Sequence, residues 1–436
     1  MDTPTPRPSV VVDVADDEER FLRSDLLTWF QEPPLEPVAD SVAVLAPGDR
    51  YAAQLRPDPG GPGDPGDLGI DPRCYAGIYG TYPLQVTVPG PLDTLRQVPV
   101  NGLTWVGVHP DARRRGVLTA MMGHHLGLTR EGDWSGLSAL HASETAIYGR
   151  HGYGVASLQL TATLAHGATL TAPQLDEAAA LVQTRLHDAV DVAGRLHRML
   201  QTLSATAMGA VALPERTVRH FLTDTPQTVR DTEPRRALVA VRDGVDVGFA
   251  VLRRRPKWEH DLPAGSVDAW VVDGEPAVRL ALLRRLLDLD LTTTLTMRTV
   301  GPDDVLFDWA APARGLAGGT VDSLWLRLAD LTTALATRGY ARACDVVLEV
   351  TDERVPTNAG RWRLAVGDDG VGAATRTDDS AGVRLDVADL GAAYLGGRRL
   401  ARMLEAGRIA EILPGAVAEL DAAFRTTHRI AAAAGF

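Results

Sequence analysis

A chain of 436 residues is too long for one ordinary domain, so two or three are expected. Its 45% hydrophobic and 23% charged residues are a globular composition, and no apolar run reaches the roughly 18 residues of a membrane span. A net charge of −12 speaks against non-specific nucleic-acid binding and tolerates cationic ligands. The segment Met1-Asp2-Thr3-Pro4 does not start a basic-then-apolar secretory signal, so a cytoplasmic protein is expected, with export left open. Two cysteines, Cys74 and Cys344, supply neither a disulfide framework nor a metal-ligand cluster, and no metal is expected.

Residues 8–14 read as a strand. Asp16 to Phe30 follow with helical spacing, Phe21, Leu22, Leu26, Trp29 and Phe30 forming the apolar stripe. Asp16 is expected to cap this helix and Pro33-Pro34 to end it. The apolar run 41–46 reads as a short strand, and the Pro-, Gly- and Asp-rich stretch from Arg56 to Asp71 as a loop. Strands are expected at 75–88, 103–108, 137–142 and 154–163, with a helix at 117–128 and a helical turn at 144–149.

Between the strand ending Trp105-Val106-Gly107-Val108 and the helix starting at Val117 lies His109-Pro110-Asp111-Ala112-Arg113-Arg114-Arg115-Gly116. A loop there leaves the first helical N–H groups without partners. The positive end of the helix dipole and three guanidinium groups add to them, making a seat for pyrophosphate. Gly116 lets the backbone come close, where a side chain would hold a phosphate away.

The pattern then partly repeats. Residues 237–241 and 247–252 read as a hairpin turned at Asp243-Gly244. A strand at 266–272, a helix at 276–289 and a strand at 293–300 copy the strand–loop–helix–strand core. The second loop, Val272-Asp273-Gly274-Glu275-Pro276, carries two acids and no arginine, so it reads as a duplicate without a phosphate seat. From Leu324 a strand at 324–328, a helix at 329–337, four strands between 344 and 387, and helices at 387–394, 398–405 and 416–424 read as an α+β unit.

Three motifs occur in order: the arginine loop, Leu140-His141-Ala142-Ser143-Glu144, and Ile147-Tyr148-Gly149-Arg150-His151-Gly152-Tyr153-Gly154. Together they resemble the Eis-like (enhanced intracellular survival) family of GNAT-superfamily N-acetyltransferases, and the resemblance spans essentially the whole chain. Gly391-Ala392-Ala393-Tyr394-Leu395-Gly396 and the terminal Phe436 also fit. It implies α/β and α+β architecture: an N-terminal GNAT acetyl-CoA-binding domain over 1–163, a degenerate second GNAT-like domain over 164–322, and a sterol-carrier-protein-like domain over 323–436. Family members often carry His where this chain has Ala112, and Phe where it has His151.

The resemblance also implies roles. Acetyl-CoA is the acetyl donor, gripped by Arg113, Arg114, Arg115, Gly116, Val117, Leu118 and Thr119, with Ser143 and Glu144 at further cofactor positions. Val106, Gly107 and Val108 would run beside the pantetheine arm, a backbone N–H polarising the thioester oxygen. Tyr148 matches the general acid of the family, favoured over Tyr153 by motif order alone. The base would be the carboxylate of Phe436 itself. A carboxylate is a poor base in water, and burial would raise its pKa. Ser143 has no Gly-x-Ser-x-Gly elbow and is not read as a nucleophile. His124 and His125 are consecutive in a helix, face different ways and make no metal pair.

The acceptor implied is a cationic primary amine, of aminoglycoside, polyamine or protein-lysine type, in a wide acidic pocket between the two acyltransferase units. A homo-hexamer is implied as well. The alternative is a non-catalytic protein that holds an apolar ligand in the carrier-like domain beside a relic acyltransferase site. The intact arginine loop, Tyr148 and Phe436 argue against it.

Overall fold

The computed structural model describes residues 9–34, 36–56, 69–226, 228–310, 316–433 and 435–436. The loop expected at 56–71 lies mostly outside them.

Strands Ser9–Val14, Arg50–Arg56, Gly77–Pro89, Leu95–Val108 and Leu137–Leu140 stand side by side in chain order. Only the last pair is parallel. Successive residues of a strand face opposite sides, and both sides are covered. Ala52 and Ile78 pack in one apolar cluster with Phe21 and Leu22 of helix Glu18–Trp29. Ala53 and Tyr79 pack in another with Val117 and Met121 of helix Val117–Glu131. That second helix sits hard against Gly77, where a Cβ would lie 2.7 Å from Val117.

Three local expectations change. The run 41–46 is not a strand: Pro37 starts a short helix, Val38–Val42, and Val44 and Leu45 are buried in the turn after it, with Leu45 lodged over Gly80. The first long helix is capped by Asp17, not Asp16; its carboxylate accepts from the Arg20 N–H at 2.9 Å. The single strand expected at 154–163 is two. Gly154–Val155 closes the first sheet, and Leu158–Ala165 crosses into the second.

Strand Trp325–Leu328 threads back into the first sheet, antiparallel to both Leu137–Leu140 and Gly154–Val155. It is locked there by Arg327, fully buried, whose guanidinium makes a two-pronged bond to Asp352 at 2.7 and 2.8 Å and donates to the His151 carbonyl at 2.9 Å. Gly154 and Gly391 face each other beneath this strand, so helix Val387–Ala393 packs backbone to backbone against it.

The second sheet runs Ala317–Asp322, Leu158–Ala165, Thr292–Val300, Gly265–Gly274, Val245–Arg255, Arg236–Arg242, Gln183–Asp188. Its hairpin turns at Asp243 and Gly244, with φ of 51° and 77°, the left-handed pair that Asp-Gly favours. Helix Pro276–Leu287 lies on this sheet. Helices Ala193–Ser204 and Glu215–Leu222, in a stretch where the sequence suggested no elements, pack on the side facing the first unit.

A third, five-stranded sheet is Gly372–Arg376, Gly360–Val366, Cys344–Thr351, Val383–Asp386, Ala410–Glu411. Its interior holds Arg338, fully buried under the faces of Phe424, Tyr340 and Tyr394 at 4.0, 4.7 and 5.7 Å.

Candidate active site

The site begins with a register fault. In strand Leu95–Val108, Trp105 and Val106 stand opposite the single residue Tyr79, a β-bulge. Trp105 holds φ of 51°, rare for a bulky side chain, and its indole stacks on Phe21 at 5.9 Å. The same strand pairs with Leu137–Leu140 only at Asn101–Ser138 and Gly102–Ala139. Beyond that the two parallel strands part, and the wedge between them opens toward the arginine loop and the Tyr148 motif.

At the end of the strand, Pro110–Ala112 makes a single 3-10 turn, and helix Val117–Glu131 starts at Gly116 with φ of 85°. A Cβ on Gly116 would meet nothing within 4 Å, so conformation and open space, not packing, select glycine here. Arg113, Arg114, Arg115 and Thr119 are exposed, Leu118 is half-buried and Val117 is buried beneath the turn. The first N–H groups of the helix have no helical acceptor. This cradle fits an anionic phosphate group. Val106 and Val108 are half-buried along the wedge. Gly107 is different: the neighbour that presses on it is Thr28 of the first helix, 2.9 Å from where its Cβ would be. Its small size admits that helix.

Tyr148 ends the short helix Thr145–Tyr148 and is 7% exposed. Burial and the Glu144 charge push its phenol up to about 12. Its hydroxyl has no protein partner among the described residues. The Tyr153 ring lies edge-on to it at 6.1 Å, but the Tyr153 hydroxyl is bonded at 2.7 Å to Ser138, which is bonded at 2.7 Å to His125. That buried chain commits Tyr153 to the core and leaves Tyr148 as the tyrosine with a free donor. His124 takes a separate partner, the Tyr79 hydroxyl at 2.6 Å. Ser143 and Glu144 are exposed at the start of the same turn.

The chain end is pinned, not frayed. Asp93 accepts from the Thr427 N–H, the Ala431 N–H donates to the Met208 carbonyl at 2.8 Å, and the Ala433 N–H donates to Ser323. Arg429 pairs with Asp304 at 2.9 Å, and Asp304 pairs with Arg279 at 2.7 Å. These contacts deliver the Phe436 ring edge-on to His141 at 4.9 Å and to Tyr82 at 6.4 Å. His141 belongs to the segment that leads from the parted strand to Tyr148.

A cleft of about 670 Å³ opens in front of Phe436, walled by Tyr82, Thr104, Trp105 and Trp29 on one side and His220 and Phe221 on the other. Its acids are Asp25, Glu32 and Glu36, Glu32 being paired with Arg230 at 3.4 Å. Asp25 is buried, and desolvation pushes its carboxyl up to about 7. Sequence reasoning named no acid in this pocket. The signal was present: Asp25 interrupts the stripe Phe21, Leu22, Leu26, Trp29, the face of the helix that turns inward.

The second unit repeats the wedge and closes it. Strand Gly265–Gly274 also bulges at a tryptophan, Trp270, and pairs in parallel with Thr292–Val300 only as far as Ala269–Met297. Chain residues 429–432 then line the gap beside Val272, Asp273 and Gly301. Gly274 packs tightly on Val278, and burial raises the Asp273 carboxyl.

Parted parallel strands, a bulge on the longer of them and an anion cradle at the next helix start are the working parts of a GNAT acyltransferase. Residues 71–156 match the acetyltransferase (GNAT) domain family, and residues 331–431 match the sterol carrier protein domain family. An uncharacterised N-acetyltransferase of Streptomyces avermitilis is 39% identical over 362 residues, 81% of this chain and 85% of that protein. The N-acetyltransferase Eis of Mycobacterium tuberculosis is 30% identical over 381 residues, 78% of this chain and 81% of that one. The crystal structure of Eis1 from Mycobacterium abscessus superposes with a TM-score of 0.75 at 26% identity, covering 96% of this chain and 98% of that one. This chain therefore belongs to the Eis-like family of GNAT N-acetyltransferases and is an acyltransferase with a sterol-carrier-like C-terminal domain.

Proposed function

We propose that the protein moves an acetyl group from acetyl-CoA to a cationic primary amine, in the first wedge only. The observation that carries this is the pinned terminal residue, Phe436, whose ring lies edge-on at 4.9 Å to His141, in the segment that leads to the unpartnered Tyr148 hydroxyl. Arg113, Arg114, Arg115 and the N–H groups from Gly116 to Thr119 would hold the pyrophosphate. Val106, Gly107 and Val108 would flank the pantetheine arm, with Ser143 and Glu144 beside it. Acetyl-CoA supplies the acyl carbon and a thiolate leaving group.

The residues do the rest. The Phe436 carboxylate takes a proton from the ammonium, because only a small fraction of an amine of pKa near 10.4 is neutral at pH 7. As the N–C bond forms and the C–S bond breaks, Tyr148 donates a hydrogen bond to the departing sulfur and passes it a proton, and the proton shed by the new amide nitrogen restores the phenol through solvent. A phenol pushed up to about 12 stays protonated, and so stays a donor, throughout the working pH range. Asp25 supplies negative charge for the acceptor near neutral pH.

Aminoglycosides, polyamines and lysine-like amines suit a cleft with three acids, and a thiol-release assay over such a panel is the test. Turnover that tracks cationic charge is expected. No turnover with any amine, and no acetyl-CoA binding by calorimetry, would overturn the assignment. The homo-hexamer is proposed on resemblance, and sedimentation equilibrium tests it. The carrier-only alternative gains no support from the C-terminal domain, whose centre is packed around the Arg338 cation.

A further inference from the structure

Behind Phe436 lies a second cavity, of about 400 Å³, within the size range of small-molecule sites. Leu196 and Leu200 of one helix, and Phe249, Val251 and Trp270 of the second sheet, form its walls. Apart from the Trp270 indole, its polar side chains are Arg235 and Thr299, and both are engaged. Arg235 pairs with Asp224 at 3.1 Å and lies over Trp270, and the Thr299 hydroxyl donates to the Trp270 carbonyl. Among the described residues, no buried side-chain polar atom left without a partner belongs to a residue lining it. A hollow walled so largely by apolar side chains gives ordered water little to bond. It also forfeits dispersion contacts that an apolar guest restores.

The hollow is joined to the acceptor cleft. Phe221 and Phe436 line both. The acids Asp25, Glu32 and Glu36 line the cleft only, so charge and apolar surface are divided across the end of the chain.

We propose that this cavity holds the hydrophobic body of the amine acceptor, so that the preferred acceptors are amphiphilic primary amines. This rests on the reading of the first wedge as the transfer site, since the amine must reach past Phe436 toward Thr104. It gives the second unit work to do: where its sibling grips the donor, it seats the apolar part of the acceptor with Phe249, Val251 and Trp270.

The test uses the full chain at saturating acetyl-CoA and a series of n-alkylamines from propyl to octyl. The expected result is a kcat/KM that climbs about fourfold per methylene until the hollow is full. Val251→Trp should shorten the chain length at which the climb stops, and Leu200→Ala should lengthen it; a folding defect produces no lengthening. Calorimetric titration with octylamine reads the cavity separately from the chemistry. Tight binding without turnover would sustain the cavity and sink the transfer site. A flat response to chain length in both rate and binding overturns the proposal. So does a gain that follows the donor, with octanoyl-CoA outrunning acetyl-CoA on a short amine, because the hollow would then belong to the acyl chain.

Discussion

The two wedges share a plan down to a single residue and differ in one loop. Each has a strand that bulges at a tryptophan, Trp105 or Trp270, and parts from its parallel neighbour just beyond. Trp105 is followed by Val106 to Gly116 before the helix at Val117, whereas Trp270 is followed by only Val271 to Glu275 before the helix at Pro276. The longer loop leaves its helix start open and surrounded by arginine. The shorter one half-buries Asp273 there, ties Glu275 to Arg242 and lets residues 429–432 lie along the gap. A duplicated fold has thus kept its backbone geometry and divided its labour through loop length and charge.

The sharpest way to break the comparison is to detach the tail that the second wedge holds. Adding one glycine after Phe436 moves the carboxylate without changing the arginine loop. Loss of a positioned base is expected to lower kcat/KM by about 10²–10⁴-fold, with acetyl-CoA affinity unchanged within twofold by calorimetry. Undiminished activity would remove Phe436 from the mechanism.

Asp304→Asn attacks the same tail from inside the second unit. Asp304 and Arg279 are both buried, and Arg429 shares the carboxylate. Removing the anion leaves two cations facing each other, so a loss of about 3 kcal/mol in stability is expected from urea unfolding. A fall in kcat at constant acetyl-CoA affinity should accompany it. A stability change below about 1 kcal/mol would show that the second wedge does not clamp the tail.

Asp25 separates function from stability in the first unit. Its carboxyl sits at about 7 when folded and near 3.8 when unfolded. Below pH 3.8 both states are protonated and the group is neutral in effect. Between pH 4 and 7 the unfolded state ionises first, so the wild type loses stability as pH rises. Asp25→Asn should therefore stabilise the protein at pH 7, on the order of 2–4 kcal/mol, with the difference vanishing near pH 3.5. KM for a cationic amine should rise by about tenfold. A Tm difference independent of pH would mean that Asp25 is not a strained acid.

These elements were unequally legible in the chain. The arginine loop was visible because its meaning is local: strand residues, a charge run, a glycine and a helix follow in order. The hairpin at Asp243-Gly244 was visible for the same reason. The bulge at Trp105 was not, because a bulge is a mismatch of register with Tyr79, 26 positions earlier. Nor was the return of Trp325–Leu328 to the first sheet, which depends on Arg327 finding Asp352 and on Gly154 admitting Gly391. Asp25 was overlooked as one polar residue in an apolar stripe. Its importance follows from the cleft it faces, and that cleft exists only once the second unit has packed against the first.

The smallest effect gives the cleanest contrast between the units. Gly116 and Gly244 are matched: φ is 85° and 77°, and a Cβ on either meets nothing within 4 Å. Alanine at either position takes on the same left-handed backbone, at a cost of roughly 1–2 kcal/mol in stability. Gly244 lies in the hairpin of the second unit, so Gly244→Ala should leave acetyl-CoA affinity untouched. Gly116→Ala carries the same strain and also places a methyl group over the N–H groups proposed to face the pyrophosphate. Its acetyl-CoA Kd should weaken by about tenfold beyond that of the control, read by calorimetry on variants with equal Tm loss. If the two alanines weaken Kd alike, the effect at Gly116 is strain alone, and the cradle at the start of helix Val117–Glu131 is not where the donor is held.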